Sequence, residues 1–280
     1  MKPRYLILAI ACLAASAASA PAGAQEQRKP ASQCQAIAEN IPKATFASFS
    51  AAPPIISAVS EGEDVKFNYL GHSTFEIDTP AGIIIATDYN GWYRPMTTPD
   101  VVTMNKAHTT HFSLTPDPGI RHVLHGWSDV PGEKANVNLV VGDAYIRNVT
   151  TDIRFSYGLG GSQEDGNSIF IFEVAGLCIG HLGHLHHRLE DAHYGAIGRL
   201  DVVMTPIDGG MTLSLDAMTE ITERLYSSVV LPMHRHSTPI GEFLAGLGEG
   251  FAVDFRDSRS LTVSLRSLPD RPTIIVLEGV

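Results

Sequence analysis

Asp100-Val101-Val102-Thr103-Met104-Asn105-Lys106-Ala107-His108-Thr109-Thr110-His111 is the stretch from which the rest of the chain can be placed. It opens as a short apolar strand, Val101 to Met104, and breaks into a loop carrying His108 and His111. Three more histidine stretches repeat that arrangement: His181-Leu182-Gly183-His184, the following His186-His187 pair, and His234 in Leu231-Pro232-Met233-His234. Each falls where a predicted strand gives way to a loop. A folded sheet brings such strand ends together, and a cluster of neutral imidazoles is chiefly useful for holding a transition metal.

Outward from that stretch, alternating apolar positions predict strands at Val65 to Leu70, Ser73 to Asp78 and Ile83 to Thr87, joined by Gly71-His72 and Thr79-Pro80-Ala81-Gly82. Arg121 to Leu124, Asn138 to Val141, Ala144 to Val149, Ser168 to Val174 and Leu177 to Ile179 continue the pattern. The second half is mixed. Glu190 to Ile197 reads as a helix and Asp201 to Met204 as a strand. Leu215, Met218, Ile221 or Thr222, and Leu225 recur at helical spacing behind Ser214, a cap, so a helix is predicted over 214–226. Val229 to Leu231 is a strand, Ile240 to Leu247 a helix, and strands at Ser260 to Leu265 and Thr273 to Leu277 close the chain. Strands first, then strand–helix alternation, suggest sheets between helix layers.

The first 24 residues read as a secretory signal: Lys2 and Arg4, an apolar run from Tyr5 to Leu13, and Ala22-Gly23-Ala24 before Gln25. The run is too short to span a bilayer, and Ala9-Ile10-Ala11 before Cys12 makes a poor lipobox, so a periplasmic or secreted protein with no stable membrane anchor is expected. Cleavage removes two basic residues and no acidic one, taking the net charge from −10 to −12. That charge argues against nucleic acid as a partner and leaves a small-molecule substrate. Oligomeric state is not legible. Residues 25–62 are rich in Ala, Ser and Pro and read as a lead-in; 63–280 read as one domain. After cleavage Cys34 and Cys178 remain. In an oxidising compartment they can pair; the favoured reading keeps them apart, with Cys178 in a buried strand and Cys34 in a mobile lead-in.

Five stretches together resemble the metallo-β-lactamase-fold hydrolases, in particular the ascorbate-6-phosphate lactonase-like branch. Tyr69-Leu70-Gly71-His72-Ser73-Thr74-Phe75 resembles the opening hairpin, and Ile84-Ile85-Ala86-Thr87-Asp88 the strand ending in a supporting Asp. The stretch 100–111 resembles the strand plus H-x-H-x-D-H motif, Gly180 to Leu185 the H-x-G-D-L segment, and Pro232-Met233-His234 the last metal histidine. The resemblance spans about residues 64–235. It implies an α+β, αββα sandwich with its site along one edge. It also implies His108, His111, His181 and His234 as metal ligands, with His72 and Asp88 behind them.

The departures change the chemistry. Lys106 stands at the motif's first His, Thr110 at its Asp, and His184 at the bridging Asp. Two divalent ions a few ångströms apart repel, and carboxylates normally offset that repulsion. With both gone, a single divalent transition metal is expected. His184 becomes the replacement ligand beside His108, His111, His181 and His234. Zinc is the default, with iron, manganese and nickel also open to imidazole.

Two readings of Lys106 stand: an ammonium replacing the missing metal's charge at an oxyanion, or a salt bridge to an acid such as Asp88. Asp208, in Thr205-Pro206-Ile207-Asp208-Gly209-Gly210, is either a general base or carboxylate ligand, or an Asp-Gly turn. Trp92-Tyr93 reads as a substrate-facing wall or a packed loop. His186 and His187 can extend the site, whereas His122, His125, His193 and His236 carry no pattern. The function expected is an exported hydrolase using metal-activated water on an ester, lactone, amide or phosphodiester. The alternative is a non-catalytic metal- or ligand-binding protein on the same fold.

Overall fold

The computed structural model describes residues 31–35, 63–154 and 161–280. The predicted signal peptide and most of the predicted lead-in lie outside these residues. Chain order gives β1 (Val65–Gly71), β2 (Thr74–Asp78), β3 (Ile84–Ala86), β4 (Val101–Met104), β5 (His122–His125), β6 (Asn138–Val141), β7 (Ala144–Arg154), β8 (Ser162–Val174) and β9 (Leu177–His181). Then follow α1 (Asp191–Ile197), β10 (Val202–Pro206), α2 (Leu215–Leu225), β11 (Val229–Met233), α3 (Ile240–Gly246), β12 (Ala252–Phe255), β13 (Ser260–Val263) and β14 (Thr273–Val276).

The strands form two sheets, one ordered β13-β1-β2-β3-β4-β5 and the other β12-β14-β11-β10-β9-β8-β7-β6. They face each other across one apolar core. In β1, Val65, Phe67 and Tyr69 point inward while Lys66 and Asn68 point out, the two-residue period of a half-buried strand. The second sheet is covered on both faces, so its strands read as unbroken apolar runs. Phe170 and Phe172 of β8 enter the core between sheets, whereas Ile169 and Ile171 face the helix side. There Met218 and Ile221 of α2 and Phe243 of α3 pack on Cys178, Val203 and Val230. Ser214 caps α2, accepting from the Ala217 amide. On the outer face of the first sheet, Ala86, Tyr89, Val102, Met104 and Ile120 form a smaller cluster closed by loop residues Phe112 and Trp127. The architecture is the αββα sandwich, with loops rather than a helix on that last face among the described residues.

Strand direction positions the site. β9, β10 and β11 run parallel, with Met204 level with His181 and Pro206 level with Met233. Their C-terminal ends therefore lie on one edge, where loops carry 181–187, 208 and 234. The parallel pairing of β3 with β4 brings Asp88 and the 105–111 loop to the corresponding ends of the first sheet. Clefts at such strand ends are where open α/β sheets place ligands.

The lead-in departs from its expected reading. Cys34 and Cys178 form a disulfide, with Cα atoms 5.9 Å apart, and Cys34 is 2 % exposed inside the helix-side core. Residues 32–35 are further held by Ser32 Oγ donating to Glu173 (2.5 Å), the Gln33 amide donating to its other oxygen (2.8 Å), and the Arg199 amide donating to the Cys34 carbonyl. Arg147 completes this buried group, 3.0 Å from Glu173 and donating to the Ala196 and Ile197 carbonyls. A composition rich in small residues gave no sign of so specific an anchor.

Candidate metal centre

The loop after β4 is a tight turn: the His111 amide donates to the His108 carbonyl, and the Asn105 amide to the His111 carbonyl. Asn105, fully buried, ties this turn to both neighbouring walls. Its Nδ2 donates to Asp88 Oδ1 at 2.9 Å and its Oδ1 accepts from the Ser168 amide at 2.8 Å. Across the cleft the His184 amide donates to Asn167 Oδ1. Gly183 lets that loop close: its φ is +62°, and a Cβ there would lie 2.5 Å from Asn105 Nδ2. His72, Asp88 and His234 also take left-handed backbone conformations, φ 54°, 43° and 50°. Each costs roughly 1–2 kcal/mol for a residue with a Cβ, and such strain collects at functional sites. The His234 amide is held by the His72 carbonyl at 2.8 Å, which joins the two sheets across the site.

From these loops His108, His111, His184 and His234 each bring one ring nitrogen into a common space, where the ligating atoms all lie within 4.8 Å of one another. His108 Nε2 and His184 Nε2 are 3.1 Å apart. Nε2 of His111 and of His234 is buried with no hydrogen-bond partner among the described residues. Their outer nitrogens are engaged. His111 Nδ1 lies 2.7 Å from Asp88 Oδ2 and 3.1 Å from Ser73 Oγ, and His234 Nδ1 lies 3.0 Å from Asp208 Oδ2. A carboxylate behind an imidazole fixes the proton on Nδ1 and turns the Nε2 lone pair inward, the usual support of a metal-binding histidine.

Electrostatics point the same way. Burial, reinforced by neighbouring imidazoles, holds His111 and His184 well below the ordinary histidine pKa and lowers His108 as well. Burial pushes Asp88 up. At Asp208 burial also works to raise the pKa, but hydrogen bonds from His234 and Thr212 outweigh it and hold the carboxyl below the usual range. Neutral imidazoles with orphaned buried nitrogens cost about 1–3 kcal/mol each when nothing meets them. A divalent transition ion is the group that would satisfy these inward nitrogens together, so the donor set fits such a metal.

The other residues named from the sequence fall differently. His181 is buried with both ring nitrogens spent inside the protein: Nδ1 accepts from the Gly183 amide at 3.1 Å, so Nε2–H donates to the Ser73 carbonyl at 2.8 Å. The motif implied a ligand; the structure makes His181 a brace between the β9 loop and the opening hairpin. Asp208 has no oxygen left for a general base. Oδ1 accepts from the Gly210 and Thr212 amides, and Oδ2 accepts from Thr212 Oγ1 at 2.5 Å and faces His234. Its role is to orient His234.

Lys106 is exposed and makes no ion pair or hydrogen bond among the described residues; a bridge to Asp88 is ruled out because Asp88 is buried against Asn105 and His111. His72 Nε2 meets Thr110 Oγ1 at 2.9 Å, with its ring 4.2 Å from that of His234; burial lowers its pKa to about 4. Tyr93 stacks on His72 with centroids 6.1 Å apart, and Trp92 beside it is 87 % exposed. Both amides are tied to Asn90 Oδ1, and Asn90 donates to the Thr110 carbonyl, so this aromatic loop is fastened to the histidine turn. His187 meets Ser162, His193 sits in the capping box of α1, and His125 stacks on Trp127.

Sequence reasoning missed the bracing asparagines Asn105 and Asn167 and the position of His186 behind His184, Nε2 to Nδ1 at 2.7 Å. The one available signal was the density of Asn and His around these strand ends.

Strand ends that deliver buried imidazoles to one rim of a two-sheet sandwich define a metallo-hydrolase type of fold. The chain belongs to the metallo-β-lactamase superfamily: the family model described as the beta-lactamase superfamily domain matches residues 66–234. Among solved structures, a Thermotoga maritima protein assigned to the zinc-dependent hydrolases of this superfamily is 24 % identical, with TM-score 0.52 and coverage of 76 % of this chain and 98 % of that one. A Parabacteroides distasonis protein assigned as a metal-dependent hydrolase is 13 % identical, with TM-score 0.52, covering 66 % and 89 %. At these identities the likeness is one of fold. No protein of curated function matches the chain.

Proposed function

We propose that the protein is an exported hydrolase carrying one divalent metal ion, zinc by default, that cleaves an ester, lactone, amide or phosphodiester. The observation that carries the reading is the convergence of four imidazoles with carboxylates behind two of them. Bound there, such an ion supplies a Lewis acid and lowers the pKa of water towards neutrality. The chain's own residues do the rest. Asp88 and Asp208 keep the protons of His111 and His234 on Nδ1, so their Nε2 lone pairs stay inward. The buried rings exclude bulk water, and Tyr93 and Trp92 offer a flat apolar wall for a substrate's non-reacting part. A single ion is favoured because Thr110 and His184 occupy the positions of the family's carboxylates. Export is supported by the disulfide, which persists in oxidising compartments, and by the basic–apolar–small pattern of residues 1–24.

A binding protein without turnover is the second reading, and one observation favours it: Asp208, the carboxylate nearest the histidines after Asp88, is fully committed. Elemental analysis of protein purified without a histidine tag separates the cases. About one divalent ion per chain is expected, lost together with hydrolysis in His111→Ala and His234→Ala. Stoichiometric metal with no turnover across ester, lactone, amide and phosphodiester panels would give the binding reading. No metal after reconstitution would sink the metal-centre reading and leave only a protein that binds a small ligand without metal.

A further inference from the structure

One backbone amide sets the direction of a hydrogen-bond chain that ends inside the metal centre. The Arg154 N–H can only donate, and it lies 2.7 Å from His186 Nδ1. That nitrogen therefore carries a lone pair, and the proton of the imidazole sits on Nε2. His186 Nε2 is 2.7 Å from His184 Nδ1, so Nδ1 of His184 accepts and its own proton sits on Nε2. His184 Nε2 is the atom 3.1 Å from His108 Nε2. A doubly protonated ring at either position would set two hydrogens against each other, so this direction belongs to the neutral rings.

The four inward nitrogens are thus of two kinds. His111 and His234 are backed by carboxylates and turn lone pairs inward. In the metal-free centre the lone pair of His108 Nε2 accepts from His184; a metal that takes this lone pair releases the His184 N–H into the centre. His184 alone is backed by a donor and turns an N–H inward.

We infer that His108, His111 and His234 are the metal ligands, and that His184 is a hydrogen-bond donor aimed at the oxygen of whatever group shares the centre with the metal. His186 is a positioning residue that fixes the tautomer of His184 through the Arg154 amide. This rests on the metal-centre reading above and departs from it by removing His184 from the ligand set. The chemistry suits the position: a fixed neutral donor stabilises negative charge that develops on oxygen. The same position carries a carboxylate in the motif this sequence resembles, which can accept but not donate when ionised.

Two measurements test the assignment. In metal-free, full-length protein labelled with nitrogen-15 on histidine, long-range proton–nitrogen correlation reads the tautomer of each ring. His184 should be protonated on Nε2 and His111 and His234 on Nδ1; Nδ1 protonation at His184 overturns the inference and leaves the hydrolase proposal untouched. Titration with Co(II) and Zn(II) reads the ligand set. His184→Ala should keep affinity within about threefold, whereas His111→Ala should lose at least about 100-fold, more than supporting residues cost. Should His184→Ala fail to fold, His184→Gln, which retains an N–H donor, gives the same reading. Equal losses in the His184 and His111 variants overturn the assignment, as does a wild-type protein with no metal affinity. In His186→Leu, which frees the tautomer of His184, the Co(II) visible spectrum should shift towards a higher coordination number; an unchanged spectrum would remove His186 from the role proposed.

Discussion

His181 ends β9 and His184 follows three residues later in the loop, yet only His184 turns a ring nitrogen towards the centre. The difference lies in what each ring can reach. His181 meets a backbone donor on one side and a carbonyl on the other, an arrangement that satisfies a neutral imidazole completely. Its removal should therefore read as a stability defect. In His181→Ala the Ser73 carbonyl and Gly183 amide lose their partners in a buried place, at a cost of about 1–3 kcal/mol each. Thermal unfolding should fall, while refolded protein at low temperature retains its metal; His234→Ala should show the reverse balance. A His181→Ala protein that is fully stable and metal-free would restore it as a ligand. At this scale the motif spacing picked out the histidines, because metal-binding residues cluster at strand ends whichever strands carry them. It did not reveal which nitrogen faces inward. That depends on partners distant in sequence: Asp88 for His111, Asp208 for His234, and the Arg154 amide for His186.

The elements that periodicity read well are those with one face against a core. β1 alternates, α2 repeats every three to four residues behind Ser214, and both stand close to their expected bounds. Two features escaped. β12, Ala252–Phe255, is an edge strand, paired among the described residues with β14; its apolar Val253 and Phe255 face out while Asp254 is half-buried, so its pattern marks no core face. The first residues of β8, Ser162 to Gln163, pair with Ile153 and Arg154 beyond a register shift in a polar extension of the hairpin. That extension matters, because Arg154 on β7 is what orients His186.

The loops at the strand ends also carry an acid sensitivity. Burial lowers His186 and His72 to about 4. An unfolded histidine titrates near about 6.5, so between about pH 6.5 and 4 the unfolded chain binds more protons than the folded one. Stability from these two groups is fully present above pH 6.5 and is lost as pH falls through that window. Chelator-treated protein should show a flat melting temperature from about pH 8 to 7 and a decline by about pH 5. A melting temperature that held constant or rose into acid would contradict the burial assigned to these rings.

For the whole molecule, the sandwich was legible because strands preceded a mixed half and five short motifs kept their order. The covalent tie was not, since two cysteines separated by 144 residues give no local sign of proximity. That tie fastens residues 31–35 to β9 and α1 beside the buried Arg147–Glu173 pair, on the helix side of the second sheet. Closing so long a loop restricts the unfolded chain, and removing native disulfides typically costs about 2–5 kcal/mol. For a domain of this size each kcal/mol moves the melting temperature by roughly 2–4 °C, so the Cys34→Ala, Cys178→Ala double variant should melt about 4–20 °C lower. Alanine is the suitable replacement, because a serine hydroxyl would be buried here without an assured partner. The centre is built from other loops, so metal content per folded chain should be unchanged in the variant. A double variant as stable as the wild type would mean that the hydrogen bonds of Ser32 and Gln33 to Glu173 hold the segment unaided. Loss of metal from a still-folded variant would show that β9, which starts at Leu177 and ends at His181, transmits the tie to the metal loops.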